Sequence, residues 1–207
     1  MKKMIDHITG IILSGGNSRR MGQNKALLPL GEITIIEHVA NLMNSIFTNV
    51  ILITNTPDEY KFLDLPMFED IFKVGGPLAG IHSGLVNSKT DENFILSCDM
   101  PLMKSEIIKS IIEFGTDKPI TVCSSEGMLQ HLAGRYSKSV LQNAEGLLKR
   151  EAENNDPKTR KHCAKVYSLL TNVGFEEIKA EDLPGHNSTV FFNMNNKEDY
   201  EKILSMF

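Results

Sequence analysis

An apolar run, Ile8 to Leu13, stops at Gly15-Gly16 and gives way to a polar loop carrying Arg19, Arg20 and Lys25. A short continuous apolar run bounded in this way reads as a strand buried on both faces. Adjacent glycines let the backbone turn sharply and expose its N–H groups without a Cβ in the way. Successive N–H groups in such a turn form a concave anion site, and cations close behind them suit a polyanion such as a triphosphate. On the glycine pair alone, an ordinary strand-to-helix turn with surface basic residues reads equally well. The full string, through Arg19-Arg20-Met21-Gly22 to Lys25, points to a nucleotide. It is neither a Walker loop, since no Gly-Lys-Ser or Gly-Lys-Thr closes it, nor the Gly-x-Gly-x-x-Gly of dinucleotide dehydrogenases.

The residues after the loop set the fold class. Gly31 marks a turn, and Ile36, Val39, Ala40, Met43, Ile46 and Phe47 recur at helical spacing, with Glu37, His38, Asn41 and Asn44 opposite. Val50 to Thr54 is the next strand, ending at Asn55-Thr56-Pro57. Strand, helix, strand in this order means a right-handed crossover and a parallel sheet. Such sheets bind ligands at the carboxyl ends of their strands, where the glycine loop and Asn55 both fall. His38 reads as a solvated helix residue.

Pro66 to Asp70 reads as a short strand ending on an acid, and Val74-Gly75-Gly76-Pro77 precedes a helix. Pro77 suits the first turn of that helix, and the glycines before it allow a ligand close to the helix amino end. Gly80 and Gly84 read as a tightly packed small-residue helix, whereas Gly76, Pro77 and Asp70 are candidates for contacts to a base or ribose. An acid can accept two N–H donors from a guanine edge; which acid does so stays open. Phe94 to Ser97 leads through Cys98 to Asp99, and Pro101 stops the ladder. Mg²⁺ takes hard oxygen ligands, usually one or two carboxylates with phosphate oxygens and water, so Asp99 stands where a metal on a bound triphosphate would be. A turn-forming aspartate before a proline loop is the plainer alternative.

Further along, Ile107, Ile108, Ile111 and Ile112 make the apolar stripe of a helix beginning near Ser105, and Lys118 to Cys123 supplies a strand. Gln130 to Tyr136 reads as a further strand or edge segment, with His131 either a substrate contact or an ordinary strand histidine. Ser137 can cap a helix with Val140, Leu141, Ala144, Leu147 and Leu148 inward. Lys149 to Lys161 is the most polar stretch. Asp156-Pro157 there suits the start of a short helix through Leu170, and Lys158, Arg160 and Lys161 make either a flap over an anionic substrate or a solvated face. Thr189 to Asn193 reads as the last strand, which puts the alternating amides of Asn193 and Asn195 on opposite sides of the cleft. The closing helix turns Tyr200, Ile203 and Leu204 inward.

Composition narrows the classes. A chain of 207 residues is long enough for one α/β domain, 1–207, with a proper core. Net charge of −4 gives no electrostatic case for nucleic acid. No apolar run approaches membrane-spanning length, and the first residues lack a secretory apolar region, so a cytoplasmic location is expected. Cys98, Cys123 and Cys163 are scattered, without the close pairs of a zinc site, and read as free thiols.

Taken together, Leu-Ser-Gly-Gly-Asn-Ser-Arg-Arg-Met-Gly-x-x-Lys at 13–25, Glu69-Asp70 with Gly76 to Gly80, Ser97 to Pro101, Gln130-His131-Leu132 and Phe192 to Asn195 resemble the molybdenum cofactor guanylyltransferases, the MobA family. The resemblance implies a Rossmann-like, mostly parallel sheet with helices on both faces, as in nucleotide-diphospho-sugar transferases. It implies GMP transfer from GTP to molybdopterin or Mo-molybdopterin with Mg²⁺, and hand-over contacts with a molybdate-inserting enzyme and molybdoenzyme chaperones. Carried over, Leu13, Ser14, Gly15, Gly16, Lys25, Asn55, Asp70, Gly76, Pro77 and Asp99 would hold GTP. Asp99 would bind the metal, Arg20 and Lys25 would assist catalysis, and Gln130, His131, Asn193 and Asn195 would face the pterin. The chain departs from the family pattern at Ser14, where alanine is commoner, at Asn24, where aspartate is usual, and at Asn196-Lys197. The nearest rivals are cytidylyl transfer to molybdopterin or uridylyl transfer to a sugar phosphate, against which Gly15-Gly16 argues. A non-catalytic nucleotide sensor is the rival from another class.

Overall fold

The computed structural model describes residues 4–15, 24–74, 76–153 and 165–207. Gly16, Arg19 and Arg20, Cys163, and the polar stretch with Asp156-Pro157, Lys158, Arg160 and Lys161 lie outside the described residues.

The apolar run becomes β1 (Ile5–Leu13), an interior strand of a seven-stranded sheet. It pairs in parallel with β4 (Phe47–Ile53) on one side and β6 (Glu92–Ser97) on the other. Between β1 and β4 come a two-stranded ribbon, β2 (Pro29–Leu30) and β3 (Ile33–Thr34), and α1 (Ile35–Asn44). Thr34 and Glu37 start α1 with a reciprocal capping box, which satisfies backbone donors the helix itself cannot pair. Beyond β4 lies the two-residue edge strand β5 (Met67–Phe68), and α2 (Pro77–Asn87) then returns the chain to β6.

The helices divide between the faces because strand residues alternate. Ile12, Leu52 and Leu96 pack with Ile36, Val39 and Met43 of α1 and with Ile107, Ile108 and Ile111 of α3 (Ser105–Glu113). Ile11, Ile53 and Ile95 face Leu78, Ile81 and Leu85 of α2, together with α4 (Leu141–Glu153) and α5 (Val166–Val173). One crossover therefore runs over each face, and the strand order reverses about β1. In open parallel sheets that reversal opens a crevice at the carboxyl ends of the strands. Gly84 allows α2 its close approach: a Cβ there would stand 2.6 Å from Ile11 Cγ2.

A strand covers 130–136, as the sequence reads, while the far edge of the sheet, residues 189–193 and Leu204 depart from that reading. The segment 130–136 belongs to β8 (Met128–Ser137), an interior strand and the only antiparallel member among the described strands of the sheet. Glu126-Gly127, both at positive φ, joins it to β7 (Ile120–Ser125) as a two-residue hairpin, the turn geometry that matches strand twist. The far edge is β9 (Glu176–Lys179), parallel to β7, a strand too short and polar for its pattern to stand out. Residues 189–193 form no strand. Asn187 Oδ1 accepts from the Thr189 N–H at 3.1 Å and from its hydroxyl at 3.0 Å, folding the segment into a turn, with Val190 and Phe191 both buried. On α6 (Lys197–Leu204), Ile203 is buried and Tyr200 half-buried as expected, but Leu204 is exposed.

Candidate functional site

Backbone hydrogen bonds draw the strand ends into one rim. Ser14 N donates to Ile53 O at 2.9 Å, Cys98 N to Leu13 O at 3.0 Å, and Thr54 N to Phe68 O at 2.9 Å. Leu13, Ser14 and Gly15, Asn55, Asp70 and Asp99 all follow from this rim. A Cβ placed on Gly80 would lie 3.3 Å from Leu13 Cδ2 and 3.7 Å from Asp70 Oδ1, so the end of β1, Asp70 and the start of α2 share one spot. Gly76, at φ +86°, and Pro77 open α2 there, both exposed. A Cβ on Gly15 would meet nothing within 4 Å among the described residues.

Asn55 and Asp70 hold each other reciprocally. Asn55 Nδ2 donates to Asp70 Oδ2 at 2.7 Å, and Asp70 N donates to Asn55 Oδ1 at 3.2 Å. Lys73, which no sequence motif marks, donates to Asn55 Oδ1 at 3.1 Å and to Glu69 Oε2 at 2.7 Å. Its position four residues after Glu69 is the one signal that points to it. Ile71 N donates to Ser83 Oγ at 2.8 Å and anchors this edge to α2.

Lys25 begins a single 3-10 turn, Lys25–Leu27, capped by Asn24, whose Oδ1 accepts from Ala26 N at 3.1 Å. Its ammonium donates to the carbonyls of Met194, at 3.3 Å, and Asn195. Met194 N donates in turn to Asp99 O at 2.9 Å. Lys25 thus stands on the same segment that is fastened to Asp99. Burial raises the Asp99 pKa above its ordinary value, while a Ser97 side-chain hydrogen bond and the Lys25 charge oppose the shift. Asp99 Oδ1 is covered and has no hydrogen-bond partner among the described residues. Burial also pushes the neighbouring Cys98 thiol up to about 12, which makes it inert at neutral pH.

Gln130 and His131 reach the same rim because β8 runs against its neighbours. Leu96 pairs with Ala133, so residues 130 and 131 fall just past the carboxyl end of β6. Gln130 is buried, with Nε2 donating to Met128 O at 3.3 Å; His131 is half-buried, and desolvation lowers its pKa. The strand alternation expected for Asn193 and Asn195 does not exist. Asn193 Nδ2 turns back to Phe191 O at 3.2 Å, while Asn195 offers its carbonyl to Lys25 and its N–H to Asp199 Oδ2 at 2.8 Å.

An uncompensated, covered carboxylate oxygen is the donor type Mg²⁺ takes, with phosphate oxygens and water filling the remaining positions. No cluster of three or more His, Cys, Asp or Glu occurs among the described residues. None of the described helices is long and apolar enough to cross a membrane.

A family model described as "MobA-like NTP transferase domain" matches residues 10–164. The chain belongs to the MobA-like NTP transferase family. Among its relatives, the "Probable molybdenum cofactor guanylyltransferase" of Carboxydothermus hydrogenoformans is 36% identical, over 98% of each chain. The "Molybdenum cofactor guanylyltransferase" of Desulfosudis oleivorans is 33% identical over 96% of this chain and 95% of its own. The crystal structure of molybdopterin-guanine dinucleotide biosynthesis protein A from Archaeoglobus fulgidus superposes with a TM-score of 0.79. It is 19% identical, covers 96% of this chain and 98% of that one, and so shares the fold.

Ser14 and Asn24, the two positions of the opening string at which the sequence reading expects other residues, meet at one side chain. Ser14 Oγ donates to the Tyr60 hydroxyl at 2.8 Å and Asn24 Nδ2 donates to it at 2.7 Å. Asn24 Nδ2 also donates to Glu59 Oε2 at 2.6 Å. An aspartate at 24 would lack both donors and set a second carboxylate against Glu59. Tyr60 lies in a turn, Pro57–Leu63, with no apolar periodicity to announce it.

Proposed function

We infer that this chain is a molybdenum cofactor guanylyltransferase that moves GMP from GTP onto the terminal phosphate of molybdopterin, with or without its molybdenum. One observation supports the reading above others: Lys25 and Asp99, whose Oδ1 is covered, are fastened to one another through Met194 in the crevice where β1 reverses the strand order. Full-length relatives carrying that activity in their names support the choice of GTP and molybdopterin over a cytidylyl or sugar-phosphate variant.

In this reading the exposed backbone at Gly15 receives the phosphates, with Leu13 and Ser14 forming the floor beneath them and, outside the described residues, Gly16. Asn55 and Asp70, with Gly76 and Pro77, take the nucleoside. A phosphate oxygen of molybdopterin attacks the α-phosphorus of GTP in line. The new P–O–P bond forms as the bond from the α-phosphorus to the bridging oxygen breaks, and pyrophosphate leaves with the electron pair. The attacking oxygen is already anionic at neutral pH, so no general base is needed, and catalysis reduces to positioning and charge neutralisation. Lys25 offsets the charge that builds on the departing bridge, with Arg20 in the same role. Asp99 would hold Mg²⁺, which when bound polarises the α-phosphoryl group. Gln130, His131, Asn193 and Asn195 line the acceptor side. Cys98 and Cys123 are free thiols, in keeping with a reducing cytoplasm.

The test is mass spectrometry of the product after incubation with GTP, Mg²⁺ and molybdopterin, with CTP and UTP in parallel. The guanine dinucleotide with stoichiometric pyrophosphate is expected. GTP binding without pyrophosphate release, or preferred turnover of CTP, would overturn the reading.

A further inference from the structure

We propose that Tyr60 is a positioning residue for nucleotidyl transfer, its hydroxyl tying Ser14, at the carboxyl end of β1, to Asn24, the cap of the turn that carries Lys25. The inference rests on the guanylyltransferase reading and extends it to a residue outside the nucleotide, metal and acceptor sets.

The phenol is 2% exposed, and its oxygen lies within hydrogen-bond reach of both side chains, Ser14 Oγ at 2.8 Å and Asn24 Nδ2 at 2.7 Å. A phenol oxygen can take two such bonds. Burial raises the Tyr60 pKa from its ordinary value, so the hydroxyl stays neutral across the working range. Both partners are committed elsewhere by their backbones or side chains. Ser14 N is held by Ile53 O at 2.9 Å, and Asn24 Oδ1 caps the turn through Ala26 N at 3.1 Å. Moving the phenol's partners therefore moves either the end of β1 or the base of Lys25. From Lys25 the chain of bonds continues through Met194 to the backbone of Asp99, at 3.3 and 2.9 Å. Tyr60 thus fixes one end of a series that sets Lys25 against Asp99. In transfer chemistry that depends on positioned charge, small misplacements of a cation are felt in turnover more than in stability.

The experiment is a double-mutant cycle on the full chain, with kcat and both KM values measured for GMP transfer and Tm followed in parallel. Tyr60→Phe keeps the ring and removes only the oxygen. The expected result is a fall of about tenfold in kcat at saturating GTP, the equivalent of about 1.4 kcal/mol, with the KM for molybdopterin unchanged. Against an Asn24→Ala, Ser14→Ala background the same substitution should cost little further, because its partners are already gone. Parent-like kcat in Tyr60→Phe, or a penalty that simply adds to those of Ser14→Ala and Asn24→Ala, would overturn the proposal. Should Tyr60→Phe fail to fold, Ser14→Ala and Asn24→Ala carry the test between them. Coupling of the two in kcat supports a shared anchor, and strict additivity refutes it. If the parent chain itself transfers no GMP, it is the guanylyltransferase reading that fails, and the two failures are told apart by that control.

Discussion

Replacing Asp99 with asparagine should make the metal-free chain more stable and, at the same time, close to inactive. The carboxyl sits at the end of β6 with Oδ1 covered and unpaired, and burial holds its pKa above the ordinary 3.8. An acid whose folded pKa is raised binds its proton more tightly in the folded state. The stability linked to that proton is complete below the unfolded value and is lost as pH rises through the folded one. Above that value an ionised carboxylate occupies a site that favours a neutral group. Leaving a buried polar group unsatisfied costs about 1–3 kcal/mol, more when it is charged. The Ser97 bond and the Lys25 charge offset part of this, so a net penalty of about 1 kcal/mol is a fair order of magnitude.

For a chain of this length that corresponds to a Tm roughly 2–4 °C higher in Asp99→Asn. Scanning calorimetry in chelator, without nucleotide, from about pH 8 down to about pH 5 reads it directly. The variant's advantage should be largest at the alkaline end and shrink as acid protonates the parent's carboxyl. GTP with Mg²⁺ should reverse the order, since a ligand bound by the parent raises the parent's Tm. Turnover should fall about a hundredfold or more. A variant no more stable than the parent in chelator at alkaline pH would refute the claim that this carboxylate is held at a cost, and so the main reason for giving it the metal.

Lys25→Ala should lower kcat about a hundredfold or more at saturating GTP and Mg²⁺, and transfer at the parent rate would remove Lys25 from the chemistry. Asp70→Asn keeps an oxygen to accept from Asn55 and the backbone N–H that donates to it, but removes the charge and one acceptor, and should cut the preference for GTP over CTP in kcat/KM by about tenfold or more, measured in paired turnover assays. Gly84→Ala would force a Cβ to 2.6 Å from Ile11 Cγ2. Overpacking of that kind costs about 1–3 kcal/mol, which calorimetry should read as a lowered Tm with the GTP affinity of the folded fraction preserved. Gly15→Ala is the complementary case. Its Cβ meets nothing within 4 Å among the described residues, so Tm should stay put while titration calorimetry shows weaker GTP binding.

How much of this could be read from the residues depended on whether a feature was local. The strand before Gly15, the acid after β6 and the proline at the start of α2 are written in consecutive residues, and the structure brings all three to one rim. The interior place of β8 was not legible as an edge-or-core choice, because it is decided by a two-residue hairpin whose Glu126 adopts a positive φ that its residue type does not advertise. Residues 189–193 show the opposite failure. Their apolar run is buried as a strand would be, yet Asn187 supplies the hydrogen bonds that a ladder would otherwise provide.

Ser14 and Asn24 carry the same lesson into the site. Taken singly, one is a harmless hydroxyl and the other a lost charge. In the folded chain they are two donors to one buried phenol 46 and 36 residues away in sequence, and Glu59 beside it explains why an amide, not a carboxylate, occupies position 24. A substitution that looks like a weakening of the loop is then part of a linked set, in which Asn24, Glu59 and Tyr60 each satisfy what another leaves open. Asn24→Asp should lower Tm here, because it removes both donors and places like charges within hydrogen-bond distance of each other.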